Sequence, residues 1–248
     1  MFAGKPCRVL WAWVLCLVAL QPLAAEVSAP RPLTADEAPR WRGVGALQVA
    51  GKPTCSAVLI SDHEAITAAH CVVDRASGHR VDPQDFTLVL GQDVGGFAAV
   101  RKVAATAFPP AYVTVRSVLD LGDLSTDLAL LVLAPPVTPD EAAPLAVANW
   151  PQPMGDFVDI VGYERDGPGS ASLREGCTVV QAEGGVAVVT CDVIAGISGA
   201  PVLLQARPDD PPRVVATVSS RGQGLAYVVA IAPRLAELRA LIATQADQ

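Results

Sequence analysis

The sequence predicts an all-β barrel or sandwich, finished by one C-terminal helix. Three observations carry that expectation. Short apolar, β-rich runs recur at 57–60, 86–90, 128–133, 157–161, 186–190, 202–204, 214–218 and 227–231. Clusters of Gly, Pro, Asp and Ser punctuate them, as at 93–96, 109–110, 167–170 and 207–212. Short strands with turn residues between them, and no alternating helices, build barrels and sandwiches rather than parallel α/β sheets. The tail differs: Leu235, Leu238, Leu241 and Ile242 share one helical face while Glu237 and Arg239 lie off it, so residues 233–245 read as a closing amphipathic helix.

In chain order, the first element stands outside the fold. Lys5 and Arg8 precede an uncharged apolar run at 9–20, and QPLAA at 21–25 offers small residues for cleavage after Ala25. Those are the three parts of a secretory signal peptide. Its twelve-residue apolar run falls short of the ~20 residues a spanning helix needs, so no stable membrane span is expected. Residues 26–40 read as either an N-terminal extension or a propeptide, with Arg40 a candidate processing point.

Removing residues 1–25 takes away two basic residues and no acidic one, so the formal net charge moves from −7 to −9. An acidic chain that is 51% hydrophobic is not disordered, and it lacks the basic face that binding to nucleic acid requires. Cys7 and Cys16 leave with the signal, and Cys55, Cys71, Cys177 and Cys191 remain. An even number in an exported protein favours two disulfides, and of the three pairings the sequence-local one (Cys55–Cys71 with Cys177–Cys191) is the simplest. No C-x-x-C and no paired His accompany them, so neither a metal site nor a cofactor is expected. The Pro-rich stretch 134–144 reads as a linker between two halves.

Three distant segments carry candidate chemistry: Thr67-Ala68-Ala69-His70-Cys71, Asp127-Leu128-Ala129-Leu130-Leu131 and Gly196-Ile197-Ser198-Gly199-Ala200-Pro201. A serine hydroxyl is a poor nucleophile until an imidazole accepts its proton, and the imidazole needs a carboxylate to set its tautomer and stabilise its charged form. An anionic tetrahedral intermediate needs backbone N–H donors, and glycines beside the serine let the backbone approach closely. His70, Asp127 and Ser198 are the residue types for those three tasks. Asp123 is a nearby rival to Asp127 but lacks the apolar strand after it.

Together these segments resemble the trypsin-like (chymotrypsin-fold) serine peptidases, and the G-x-S-G-A-P turn is similar to that of the bacterial secreted branch. The resemblance rests on TAAHC at 67–71, Cys55 sixteen residues before Cys71 with SAVLIS between them, DLALL at 127–131 and the serine turn. It includes Val218-Ser219-Ser220 with Gly224-Leu225-Ala226-Tyr227, similar to the family's substrate-binding strand and its return, and it spans about residues 41–245. It implies two packed antiparallel six-stranded β-barrels, at about 41–135 and 145–232, with the helix at 233–245. It also implies a peptidase domain over 41–248 with its site between the barrels. His70 would be the general base, Asp127 its orienting carboxylate and Ser198 the nucleophile, with the N–H groups of Gly196 and Ser198 as oxyanion hole.

The implied activity is that of a secreted or periplasmic serine endopeptidase acting on polypeptides through an acyl-enzyme. A catalytically silent binding protein of the same fold is the alternative, and nothing in the sequence speaks to self-association. Two positions depart from the family. Ile197 stands where animal digestive members carry an Asp that pairs with a newly freed N-terminus, so the serine turn should be preformed by packing of Ile197. Asp192 lies where a carboxylate selects basic substrate side chains, whereas Arg221, beside Ser219 and Ser220, stands where a Gly normally lines the pocket; the two charges point to opposite preferences.

Overall fold

The computed structural model describes residues 29–74, 77–112, 124–150, 154–167, 169–204 and 211–246. The expected signal at 1–25 and the rival Asp123 lie outside them. The chain enters through a two-residue strand, β1 (Arg31–Pro32), and then builds β2 (Val44–Val49), β3 (Lys52–Leu59), β4 (Glu64–Thr67), β5 (Phe86–Leu90), β6 (Ala99–Ala107) and β7 (Ala129–Ala134). The last six close antiparallel into a barrel in the order β2-β3-β4-β7-β6-β5. Leu47, Phe86, Leu88 and Leu131 fill it and are fully buried.

After a short β8 (Ala146–Val147) the second half follows with β9 (Phe157–Gly162), β10 (Ser172–Glu183), β11 (Val186–Val189), β12 (Pro201–Leu204), β13 (Arg213–Gly222) and β14 (Leu225–Ala230). These pair antiparallel around a second closed ring, β9-β10-β11-β14-β13-β12 and back to β9, with β1 added along β10 and β8 parallel to β13. The helix α1 (Ala232–Ala246) ends the chain. Two closed six-stranded barrels and one terminal helix are the all-β architecture expected from the sequence. Leu238 of α1 is fully buried, and Leu235 and Ile242 pack beside it. Arg239 reaches Glu64 of β4 at 2.6 Å, which ties the helix to the first barrel.

Several strands had no legible signal. In β10 the run Arg174-Glu175-Gly176 reads as a turn, yet it lies within a twelve-residue strand whose register shifts between Arg174 and Cys177, with Gly176 at a φ of 66°. A bulge of this kind admits an extra residue without ending the strand. In β6, Arg101 and Lys102 interrupt the apolar pattern because that strand turns only part of its surface to the core. The linker also differs from expectation: Val137 and Ala142 are buried, and the N–H groups of Val137 and Leu145 donate to Asp62 and Leu59 carbonyls at 2.6 and 2.9 Å. It is a packed strap along the first barrel.

At the N-terminal side, Arg31 forms ion pairs with Glu37 and Glu175, both at 2.7 Å, while Leu33 and Trp41 pack against a buried cluster. Two disulfides are present, Cys55–Cys71 and Cys177–Cys191.

Candidate active site

The first barrel presents an imidazole and a carboxylate. The chain leaves β4 at Thr67 and makes one tight turn at Ala69–Cys71, so His70 projects while Cys71 is held through its disulfide to Cys55 on β3. Asp127 stands two residues before β7, the strand paired with β4, which places it beside His70. Its two oxygens are fully used. Oδ1 accepts the His70 backbone N–H at 2.9 Å, and Oδ2 meets His70 Nδ1 at 2.8 Å and takes a short hydrogen bond from the Ser219 hydroxyl. Burial alone would push the Asp127 carboxyl up; the charge of His70 and the hydrogen bonds from His70 and Ser219 outweigh it and hold the group below its ordinary range. An ionised Asp127 bonded to Nδ1 leaves Nε2 as the ring nitrogen available for proton transfer.

The second barrel presents a hydroxyl on an ordered turn between β11 and β12. The Ile197 N–H donates to Ile194 O at 3.2 Å and closes a turn with Gly196 at its third position. The φ of Gly196 is 102°, a value open to glycine and costly for other residues. A side chain there would also collide with the Arg165 N and lie 2.6 Å from Tyr163 O. Gly199, at a φ of 78°, is equally confined by Thr67 and Ser56. Ile197 is fully buried in the core of the second barrel, which anchors the turn by packing.

Every carbonyl of the turn is engaged. Ala195 O accepts from Arg165 N at 2.8 Å, Ile197 O from Ala200 N at 2.9 Å and Ser198 O from Ser56 N at 2.7 Å. Gly196 O accepts from the Ser56 hydroxyl at 2.9 Å. The N–H groups of Gly196 and Ser198, by contrast, donate to no acceptor among the described residues. A trans peptide points its C=O and N–H in opposite directions, so tethering Ala195 O to Arg165 turns the Gly196 N–H the other way. Gly196, Ser198 and His70 line one open cleft of about 670 Å³. No hydrogen bond joins Ser198 to His70.

The cleft thus brings together an Asp-bound imidazole, a serine and two unpaired backbone N–H groups. The trypsin family model matches residues 34–192. The chain belongs to the trypsin family. That family is one of serine-type peptidases, hydrolases whose substrates are polypeptides. The match includes His70 and Asp127 and ends before Ser198. No curated protein matches the chain.

In this trypsin-family chain the residues expected to bind substrate do not all meet in the cleft. Ser219 lines it, but its hydroxyl is committed to Asp127. Its position is the irregular point in the pairing of β13 with β14, between Val218 and Ser220, where the register shifts by one residue. Arg221 lines the cleft and also an adjoining depression of about 300 Å³. Asp192 is exposed and lines that depression rather than the cleft, and no ion pair joins it to Arg221 among the described residues. The Asp192 backbone carbonyl accepts a short hydrogen bond from the buried Arg174 Nε, so the main chain here is tied to the interior while the side chain is exposed.

Arg174 is itself a feature the sequence did not disclose. It is fully buried, with Nη2 3.0 Å from Glu164 and Nη1 donating to Ser172 at 2.9 Å. Burial pulls its guanidinium down from the ordinary value, and Glu164 opposes that shift. The pair joins β10 to the Glu164–Arg165 segment on one side of the serine turn and to Asp192 on the other. A charged residue between the apolar Leu173 and Cys177 was the available signal. Cys55, His70 and Cys71 also lie close together, but the two sulfurs are bonded to each other and offer no thiolate to a metal.

Proposed function

We propose that this chain is an exported serine endopeptidase working through Ser198, His70 and Asp127. The observation that carries the reading is the serine turn, whose carbonyls are all tethered while two N–H groups stay unpaired at a cleft shared with an Asp-bound imidazole. In the first step Ser198 Oγ attacks the scissile carbonyl carbon and passes its proton to His70 Nε2. The carbonyl oxygen becomes anionic and is met by the N–H groups of Gly196 and Ser198. The C–N bond then breaks as His70 returns the proton to the departing amine, leaving an acyl-enzyme. Water repeats the sequence: it loses a proton to His70, attacks the ester and releases the acid as Ser198 recovers its proton. Asp127 stays ionised throughout. Val218 to Arg221 of β13 line the cleft, where an extended substrate can add hydrogen bonds along the strand, and Arg221 stands where it meets the substrate's side chain.

Export rests on the signal-like residues 1–25 and on two disulfides, bonds that persist in oxidising compartments. Among the described residues no helix is long and apolar enough to cross a membrane. The segment from Arg31 to Trp41 belongs to the working protein in this reading, because its strand pairing, ion pairs and apolar packing would all be lost with it. Labelling with a fluorophosphonate tests the whole reading. Wild type should label and Ser198→Ala should not; folded wild-type protein that fails to label is instead a silent binding member of the family.

A further inference from the structure

Ser56 is buried without exposure between the two barrels, and each of its polar groups touches a different part of the proposed machinery. Its N–H donates to Ser198 O at 2.7 Å, and its carbonyl accepts from Thr67 Oγ1, three residues before His70, at 2.8 Å. Its hydroxyl accepts from Tyr163 N at 2.8 Å and donates to Gly196 O at 2.9 Å; among the described residues the only other acceptor, Tyr163 O, lies at 3.5 Å. A serine hydroxyl has one proton to give, and the shorter contact assigns it to Gly196.

That bond has a particular consequence. Among the four carbonyls of residues 195–198, only Gly196 O is held by a side chain; the other three are held by backbone N–H groups. Gly196 is also the residue with the widest conformational freedom in the turn, and rotating its flanking peptides is what would turn its N–H out of the cleft. Arg165 N pins the peptide before Gly196, and the Ser56 hydroxyl pins the one after it. We infer that Ser56 is a positioning residue of the oxyanion site: its hydroxyl holds the Gly196–Ile197 peptide and so, together with the Arg165 tether, keeps the Gly196 N–H aimed at the substrate carbonyl. The inference rests on the proposed hydrolase function. It explains how a turn with neutral Ile197 beside the serine holds its shape without a charged partner at that position.

The test is Ser56→Ala beside wild type and Ser56→Thr, assayed on a peptide ester. The alanine variant leaves Gly196 O buried and unpaired, so kcat should fall by about 10-fold to 100-fold with KM within about twofold. The affinity of a peptide boronic acid should fall by the same factor, while the midpoint of the pH–rate profile stays in place because the His70–Asp127 half is untouched. Ser56→Thr, which keeps the hydroxyl, should recover most of the rate. Unchanged kcat in Ser56→Ala overturns the inference, as does a loss expressed only in KM or accompanied by a displaced pH midpoint. A crystal structure of Ser56→Ala reads the same point without turnover: the Ala195–Gly196 peptide should be reversed or split between two orientations, and a single unchanged orientation counts against the role. Absence of Ser198-dependent labelling in wild type sinks the hydrolase reading; a retained turn in the alanine variant sinks this one.

Discussion

The two halves of the cleft are held by different kinds of interaction. On the first barrel, His70 and Asp127 are fixed by side-chain hydrogen bonds within a charge-coupled cluster, beside a disulfide and over a core of apolar residues. On the second, Ser198 rides a turn shaped by two glycines at positive φ and by tethered carbonyls, with a buried Arg174–Glu164 pair beneath it. The contrast follows from the tasks the halves would perform. A group that gains and loses a proton needs a charged neighbour, whereas fixed dipoles that receive an oxyanion need a backbone that does not reorganise. The Arg174–Glu164 pair has a structural role of another kind, tying β10 to the segment that holds Ala195 O.

The sharpest way to break this contrast is Ser198→Ala, which should remove nearly all activity, at least about 10⁴-fold in kcat, and leave the thermal unfolding midpoint within a degree or two of wild type. Asp127→Asn should come next, costing about 10⁴-fold in kcat through the wrong imidazole tautomer, read by steady-state hydrolysis of a peptide ester. Both act on the chemistry and little on the fold.

On the second barrel the balance should invert. Glu164→Gln leaves the Arg174 guanidinium uncompensated in the interior and should cost about 3–5 kcal/mol in denaturant unfolding. The exposed Arg239–Glu64 pair makes the control, since Arg239→Ala should cost less than about 1 kcal/mol. The disulfides sharpen the comparison further. They close loops of similar length, with sequence separations of 16 and 14, so removing either should cost about 3 kcal/mol. Only Cys55→Ser with Cys71→Ser should also lower kcat, because His70 adjoins that bridge.

The smallest effect is one of pH. The Asp127 carboxyl is held below its ordinary range in the folded protein, so its contribution to stability is present above the unfolded carboxylate's value and is lost as pH falls through the folded one. The stability difference between wild type and Asp127→Asn should therefore be flat above about pH 5 and shrink below about pH 4. A difference that instead grows on acidification would contradict the depressed carboxyl.

Much of this molecule was legible in the chain. The run 86–90 is β5 to the residue, and 157–161 is β9 less its last residue, because both are short apolar runs bounded by turn residues. The periodic Leu positions of 233–245 became α1 with the expected face inward. The strands that the apolar runs missed include β2, β6 and β10, where residues such as Gln48, Arg101 and Arg174 interrupt the pattern. Ala65-Ile66 is strand-like by its own residues, and pairing with β3 and β7 on either side sets the bounds of β4 at Glu64–Thr67. His70 and Ser198 were conspicuous because each stood in a short, distinctive setting, TAAHC and GISGAP. Ser56 and Arg174 were not, because a serine after a cysteine and an arginine in a strand have no meaning until their partners, at Gly196 and Glu164, are folded against them.

The sequence by itself determined the all-β class, the cysteine pairing it favoured and the residue types grouped at the cleft, since these follow from local pattern and from chemistry that few side chains perform. Tertiary structure alone decided that Asp192 faces outward, that a hydroxyl and not a charge steadies the Gly196 peptide, and that one buried guanidinium links the loops around Ser198. Those outcomes depend on which backbone carbonyls are left to be satisfied once two barrels close, and that is a property of the packed chain rather than of any segment within it.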